Sequence, residues 1–170
     1  MKNRKILPLI LFVFLVGGFI FTQFSSTKKQ VSVVKEAAKV IRVVDGDTIK
    51  VLIQDKEDTV RLIGIDSPEV VDDRKPSQCF GKEASDKAKE ILTDKTITLE
   101  SDLTQGNRDE YGRLLRYVFL NNLNINKIML SEGYAREYTF KGNSYKYQSD
   151  FIQAEKKAME NEMGLWLRCP

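Results

Sequence analysis

The order of patterns along the chain predicts an α+β fold. Three β-rich runs come first, then a stretch of helical period, two more β-rich runs and two further helical stretches. The runs are short and rich in β-branched residues, and the helical stretches are amphipathic. Five short strands interrupted by helices suit a small Greek-key barrel of OB type with three helices. At 170 residues the chain has room for one such domain and a terminal extension.

The extension is expected at the amino end. Lys2, Arg4 and Lys5 precede an apolar run from Ile6 to Phe24. A basic flank before such a run places the amino end in the cytoplasm. The run is about as long as the roughly 20 residues a spanning helix needs. A cleaved signal peptide is the alternative, although its apolar region is usually only ~7–15 residues long. Residues 1–24 are thus a signal-anchor or a signal peptide, 25–36 a polar tether and 37–170 the folded domain. Either reading exports the domain, to the outer face of the membrane or into the medium.

Val40 to Val44 is the first strand and Thr48 to Ile53, with alternating apolar residues, the second. Asp45-Gly46 between them marks a hairpin. Asp55 to Asp58 reads as a turn, and Thr59 to Ile65 as the third strand. Val60 and Leu62 oppose Ile63 and Ile65 there, an irregularity that suits a barrel strand covered on both faces. After a polar loop, Ala84, Ala88, Ile91 and Leu92 predict a helix over 82–93. Thr96 to Glu100 and Leu114 to Leu120 are the fourth and fifth strands. Asn121-Asn122 turns the chain into a short helix carrying Ile125, Ile128 and Met129, ended by Gly133. A last helix is expected over 148–163, with Gly164 at its carboxyl cap.

Composition narrows the chemistry. Net charge is +3, but the three basic residues before the apolar run supply all of it, so the body is electrically balanced. A nucleic-acid partner must therefore be argued from placed arginines. Histidine is absent, which excludes imidazole bases, Ser-His-Asp triads and zinc sites that need imidazole. Cys79 and Cys169 are an even pair in an exported chain and are expected to be bonded; two free thiols are the alternative.

Three motifs remain. Asp45-Gly46-Asp47-Thr48, Arg61 to Glu69 with Asp66-Ser67-Pro68-Glu69, and Asp109-Glu110-Tyr111-Gly112-Arg113 follow in order. Each alone is ordinary turn chemistry. Together, with Gly81-Lys82-Glu83-Ala84-Ser85 and Gly164-Leu165-Trp166, they resemble the staphylococcal nuclease (thermonuclease) family over about Val40 to Trp166.

That resemblance implies a Ca²⁺ site made by Asp47, Asp66 and the Ser67 carbonyl, with waters; a hard cation prefers such oxygen ligands. It implies Glu69 as general base, Arg61 and Arg113 as phosphate-binding groups, and Tyr111 and Tyr138 as substrate contacts. The implied reaction is hydrolysis of DNA and RNA, preferably single-stranded, giving 3′-phosphorylated products. Three positions depart from the family: Glu110 replaces a lysine, Ser67 a frequent threonine and Phe140 a tyrosine. A non-catalytic nucleic-acid-binding module at the cell surface and a calcium-stabilised surface protein are the rival readings; the arginine pair argues against the last. Nothing in the sequence suggests other than a monomer.

Overall fold

The structure, a computed structural model, describes residues 32–70 and 77–169. The expected membrane or signal segment lies outside them, and no helix among the described residues is long and apolar enough to cross a membrane.

Five strands close into a barrel. They are β1 (Lys35–Val43), β2 (Thr48–Ile53), β3 (Lys56–Leu62), β5 (Thr96–Glu100) and β6 (Leu114–Leu120). Short β4 (Ile65–Asp66) pairs with β8 (Arg136–Glu137), and β7 (Leu123–Asn124) pairs antiparallel with the end of β6. The sheet runs β3-β2-β1-β5-β6, antiparallel throughout, and closes by parallel pairing of β3 with β6. β1 serves two neighbours: Lys35 to Lys39 pair with β5 and Lys39 to Val43 with β2. The register slips between Val40 and Arg42, where a bulge lets one strand turn the barrel's corner. β1 begins at Lys35, inside the stretch read as a tether.

The barrel is filled by Val40, Val51, Val60, Leu99 and Val118, all fully buried. Helix α1 (Gly81–Leu92) buries Ala84, Ala88 and Leu92, one face at helical spacing. Helix α2 (Ile125–Ser131) is capped by Asn124, whose side chain accepts from the Lys127 N–H, and gives way to Gly133 at φ 72°. Helix α3 (Gln148–Glu160) packs Phe151, Ala154 and Ala158 inward. Its Phe151 meets Tyr117 edge-on, with ring centroids 6.1 Å apart.

Four further features differ from the expectation. The third strand stops at Leu62, because Gly64 at φ 76° breaks it and Ile65–Asp66 starts a new pairing. The irregular apolar pattern thus records a break, not a strand covered on both faces. The turn before this strand is Gln54-Asp55, both left-handed at φ 46° and 64°, so β3 starts earlier than Thr59. Helix α3 ends at Glu160, with Glu162 taking the left-handed conformation after it. Gly164 instead precedes an unforeseen fourth helix, α4 (Leu165–Arg168), and lies against Gly133.

Cys79 and Cys169 form the disulfide that the even pair suggested, 90 residues apart in sequence. A loop of that length gives on the order of 4–5 kcal/mol in the chain-entropy picture.

Candidate active site

The β1–β2 turn delivers the first carboxylates. Asp45 Oδ1 accepts from the Asp47 N–H at 3.0 Å, folding the Asp-Gly-Asp segment on itself. Gly46 is required by proximity: a Cβ there would stand 2.7 Å from Ser67 Cβ and Oγ. That contact brings the Asp45-Gly46-Asp47 turn against the chain leaving β4. Asp47, buried, accepts from the Ser67 N–H at 2.7 Å and the Thr48 hydroxyl at 2.9 Å. Ser67 Oγ is buried with no hydrogen-bond partner.

Arg61 joins these two segments. It sits opposite Thr48 in the β2–β3 ladder, one residue from Asp47. Its Nε lies 3.2 Å from Asp47 Oδ1 and its Nη2 2.9 Å from Asp66 Oδ1. Nη1 donates to the Leu62 and Ile65 carbonyls at 3.0 and 2.7 Å. The break after Leu62 is what turns both carbonyls toward one guanidinium.

Carboxylates crowd around this arginine. Burial, then the charges of Asp47 and Glu69, push Asp45 up to about 6. Burial likewise raises Asp66, aided by Asp47 and opposed by Arg61. Glu69 is raised first by burial, then by Asp47 and Asp66, while Arg61 and Arg113 pull it down. The Glu69 carboxyl therefore lies within electrostatic reach of both arginines and both candidate metal ligands.

Arg113 comes from the turn before β6. Its Nε contacts Asp109 Oδ2 at 2.6 Å, and the Arg113 and Tyr111 N–H groups donate to Asp109 Oδ1 at 2.9 and 3.0 Å. The Tyr111 ring stacks on the guanidinium, 5.3 Å from its carbon. Arg108 fixes the turn from outside, donating to the Gly112 carbonyl and both Asp58 oxygens at 2.6–2.9 Å.

A cleft of about 640 Å³ is lined by Arg61, Asp66, Tyr111, Arg113, Tyr138 and Phe140, among others. Glu110 is also on its wall. Asp47 and Ser67 are buried, Glu69 is on the exposed chain past β4, and none of the three lines the cleft itself. Sequence reading missed Asp45, Asp109 and Arg108 as holders of the site. The first two stand inside the quoted motifs; Arg108 gives no signal, because its partner Asp58 is 50 residues away.

The sequence profile described as staphylococcal nuclease homologue matches residues 59–168. The chain belongs to that family. Within it, the chain is 42% identical over 132 residues to the thermonuclease of Staphylococcus hyicus, covering 78% of this chain and 76% of that one. It is 38% identical over 141 residues to the thermonuclease of Staphylococcus intermedius, covering 83% and 82%. Against endonuclease YncB of Bacillus subtilis (strain 168) it is 38% identical over 129 residues, covering 74% of this chain and 59% of that one. The staphylococcal nuclease match takes in Arg61, Asp66, Ser67, Glu69, Tyr111, Arg113 and Tyr138, and begins after Asp47.

Proposed function

We propose that this chain is an exported, Ca²⁺-dependent nuclease that hydrolyses phosphodiester bonds of DNA and RNA. Family membership and relatives named thermonuclease and endonuclease support the nuclease reading. The observation that carries the mechanism is Arg61 bridging Asp47 at 3.2 Å and Asp66 at 2.9 Å on the cleft that Arg113 also lines, with Glu69 three residues past Asp66.

The donor set suits a hard divalent cation. Asp45, Asp47, Asp66 and Glu69 offer only oxygen, and burial first, then their mutual negative charge, raises the pKa values of Asp45, Asp66 and Glu69. Among the described residues no three Cys, Asp or Glu side chains form a metal cage. Asp47 and Asp66 would hold the ion, with the Ser67 carbonyl and waters filling its shell. Bound there, Ca²⁺ supplies Lewis acidity to a phosphate oxygen.

Glu69 takes the proton of the attacking water, and its raised pKa strengthens it as a base. Arg61 and Arg113 take phosphate oxygens and offset the charge that builds as the 5′ oxygen leaves, giving 3′-phosphorylated products. Asp109 engages Arg113 through Nε, not through the terminal nitrogens a phosphate takes. Tyr111 and Tyr138, 77% and 44% exposed, offer ring faces to unpaired bases, which favours single strands. Every one of these groups comes from one chain, so a monomer suffices. The disulfide suits an oxidising compartment, reached through the amino-terminal segment as a membrane anchor or a cleaved signal.

The test is hydrolysis of denatured DNA by the full chain in detergent, with Ca²⁺, Mg²⁺ or chelator, beside Glu69→Gln. Cleavage that needs Ca²⁺ and is lost in the variant is expected. Binding without cleavage under any metal would replace the enzyme with a nucleic-acid-binding module.

A further inference from the structure

We propose that Gln78, anchored by the neighbouring Cys79–Cys169 disulfide, is a positioning residue for Glu69; this rests on the nuclease reading above. Glu69 leaves the barrel on an exposed stretch, outside any strand or helix. Both of its backbone polar groups are taken up by one residue. The Glu69 N–H donates to Gln78 Oε1 at 2.9 Å, and the Gln78 N–H donates to the Glu69 carbonyl at 3.1 Å. This reciprocal pair joins residues nine apart in sequence and fixes the backbone that carries the base. Gly81 completes the contact, since a Cβ there would lie 2.5 Å from the Glu69 carbonyl oxygen. Its own N–H donates to the Gln78 carbonyl at 3.0 Å, which folds the segment into the start of α1.

Gln78 is itself tied down covalently. Cys79 follows it directly and is bonded to Cys169, which caps α4 by donating its N–H to the Leu165 carbonyl at 2.9 Å. Leu165 is buried, and its N–H donates to the Gly133 carbonyl at 2.9 Å. A continuous chain of bonds thus runs from the end of α2 through α4 and the disulfide to the Glu69 backbone. The carboxyl end of the protein supports the general base, 100 residues before it in sequence.

Displacement of a reacting group by about 1 Å costs up to roughly 100-fold in rate. Loosening the clamp is accordingly expected to lower kcat and to spare KM. The test compares the full-length chain with Gln78→Ala, Gln78→Glu, the Cys79→Ser/Cys169→Ser pair, and all three removals combined. Expected for Gln78→Ala is a kcat on the order of 10-fold lower, with KM within about twofold. Faster hydrogen exchange of the Glu69 amide and unchanged Ca²⁺ affinity by calorimetry should accompany it. Gln78→Glu keeps an oxygen acceptor for the Glu69 N–H and is expected to restore exchange protection of that amide. If the disulfide acts through Gln78, its removal from Gln78→Ala lowers kcat no further.

Unchanged kcat and unchanged amide exchange in Gln78→Ala would overturn the clamp, as would independent, multiplicative losses in the combined variant. Glu69→Gln is run alongside. Undiminished cleavage by Glu69→Gln overturns the assignment of the base itself, whereas its loss beside a fully active Gln78→Ala overturns only the clamp.

Discussion

Gly133 and Gly164 meet backbone to backbone. A Cβ on Gly133 would lie 2.2 Å from the Met163 carbonyl oxygen, and one on Gly164 would lie 2.3 Å from that of Gly133. Both also take positive φ, 72° and 54°. Alanine at position 133 therefore meets a left-handed backbone and a backbone clash together. Gly133→Ala is expected to lose about 2–5 kcal/mol of stability, read from denaturant unfolding. Gly142→Ala is the comparison: its φ of 75° carries conformational strain alone, since a Cβ there meets nothing within 4 Å.

Arg61 spans Asp47 and Asp66 with different nitrogens while Nη1 holds two carbonyls. Lysine has the charge without the fork. Arg61→Lys is expected to lower the single-turnover rate on the order of 100- to 1,000-fold, as loss of a transition-state donor does elsewhere. Circular dichroism on the same sample should remain native.

Glu110 puts a negative charge on the cleft wall beside exposed Tyr111. It repels a polyanion. Glu110→Lys is expected to lower KM for denatured DNA several-fold with little change in kcat. The slope of log affinity against log salt should steepen by about one. A fall in kcat with unchanged KM would mean that Glu110 acts on the reacting phosphate itself.

Acid should unfold the protein through two carboxylates that do not line the cleft, Glu100 and Asp102. Burial alone would raise Glu100, but Lys146, Lys35 and the Tyr147 hydroxyl outweigh it and hold it below its ordinary 4.5. Asp102 is likewise lowered from 3.8, burial being overcome by the Lys146 N–H, the Tyr117 hydroxyl and Thr104. Folded values below unfolded ones mean stability that is complete above about pH 4.5 and lost as pH falls through the lowered values. Urea midpoints measured from pH 7 to pH 3 should drop in that window. Glu100→Gln should be less stable at neutral pH and show a shallower acid limb.

Much of the fold was legible because it is written in local pattern. Ala84, Ala88 and Leu92 announce α1, and the alternation of Thr48 to Ile53 announces β2. What escaped depends on partners distant in sequence. Gln54-Asp55 makes a left-handed turn without glycine, so sequence reading places the turn one residue late and makes it too long, over 55–58. The strand break at Gly64 became intelligible only once Ile65 and Asp66 were seen to pair with Glu137 and Arg136. The motif residues around Arg61 were readable as a set, whereas Gln78 was not, because its role exists only through the Glu69 backbone nine residues earlier. Glycine misled at position 164, where crowding against Gly133 and not helix termination is the reason for it.

The barrel closes where β3 meets β6, pairing Arg61 with Leu115 and Leu62 with Arg116. Arg113 immediately precedes β6, beside this seam. A growing chain thus carries Asp47, Arg61, Asp66 and Glu69 long before the strand that completes their surroundings has been made. Non-local pairings of this kind form late, after the loop-closure entropy has been met. In a chain threaded unfolded across a membrane, the side chains of the site travel together without forming it. On the export proposed above, folding on the far side is the step that assembles the site, and the cell that makes the chain is spared a working nuclease among its own nucleic acids.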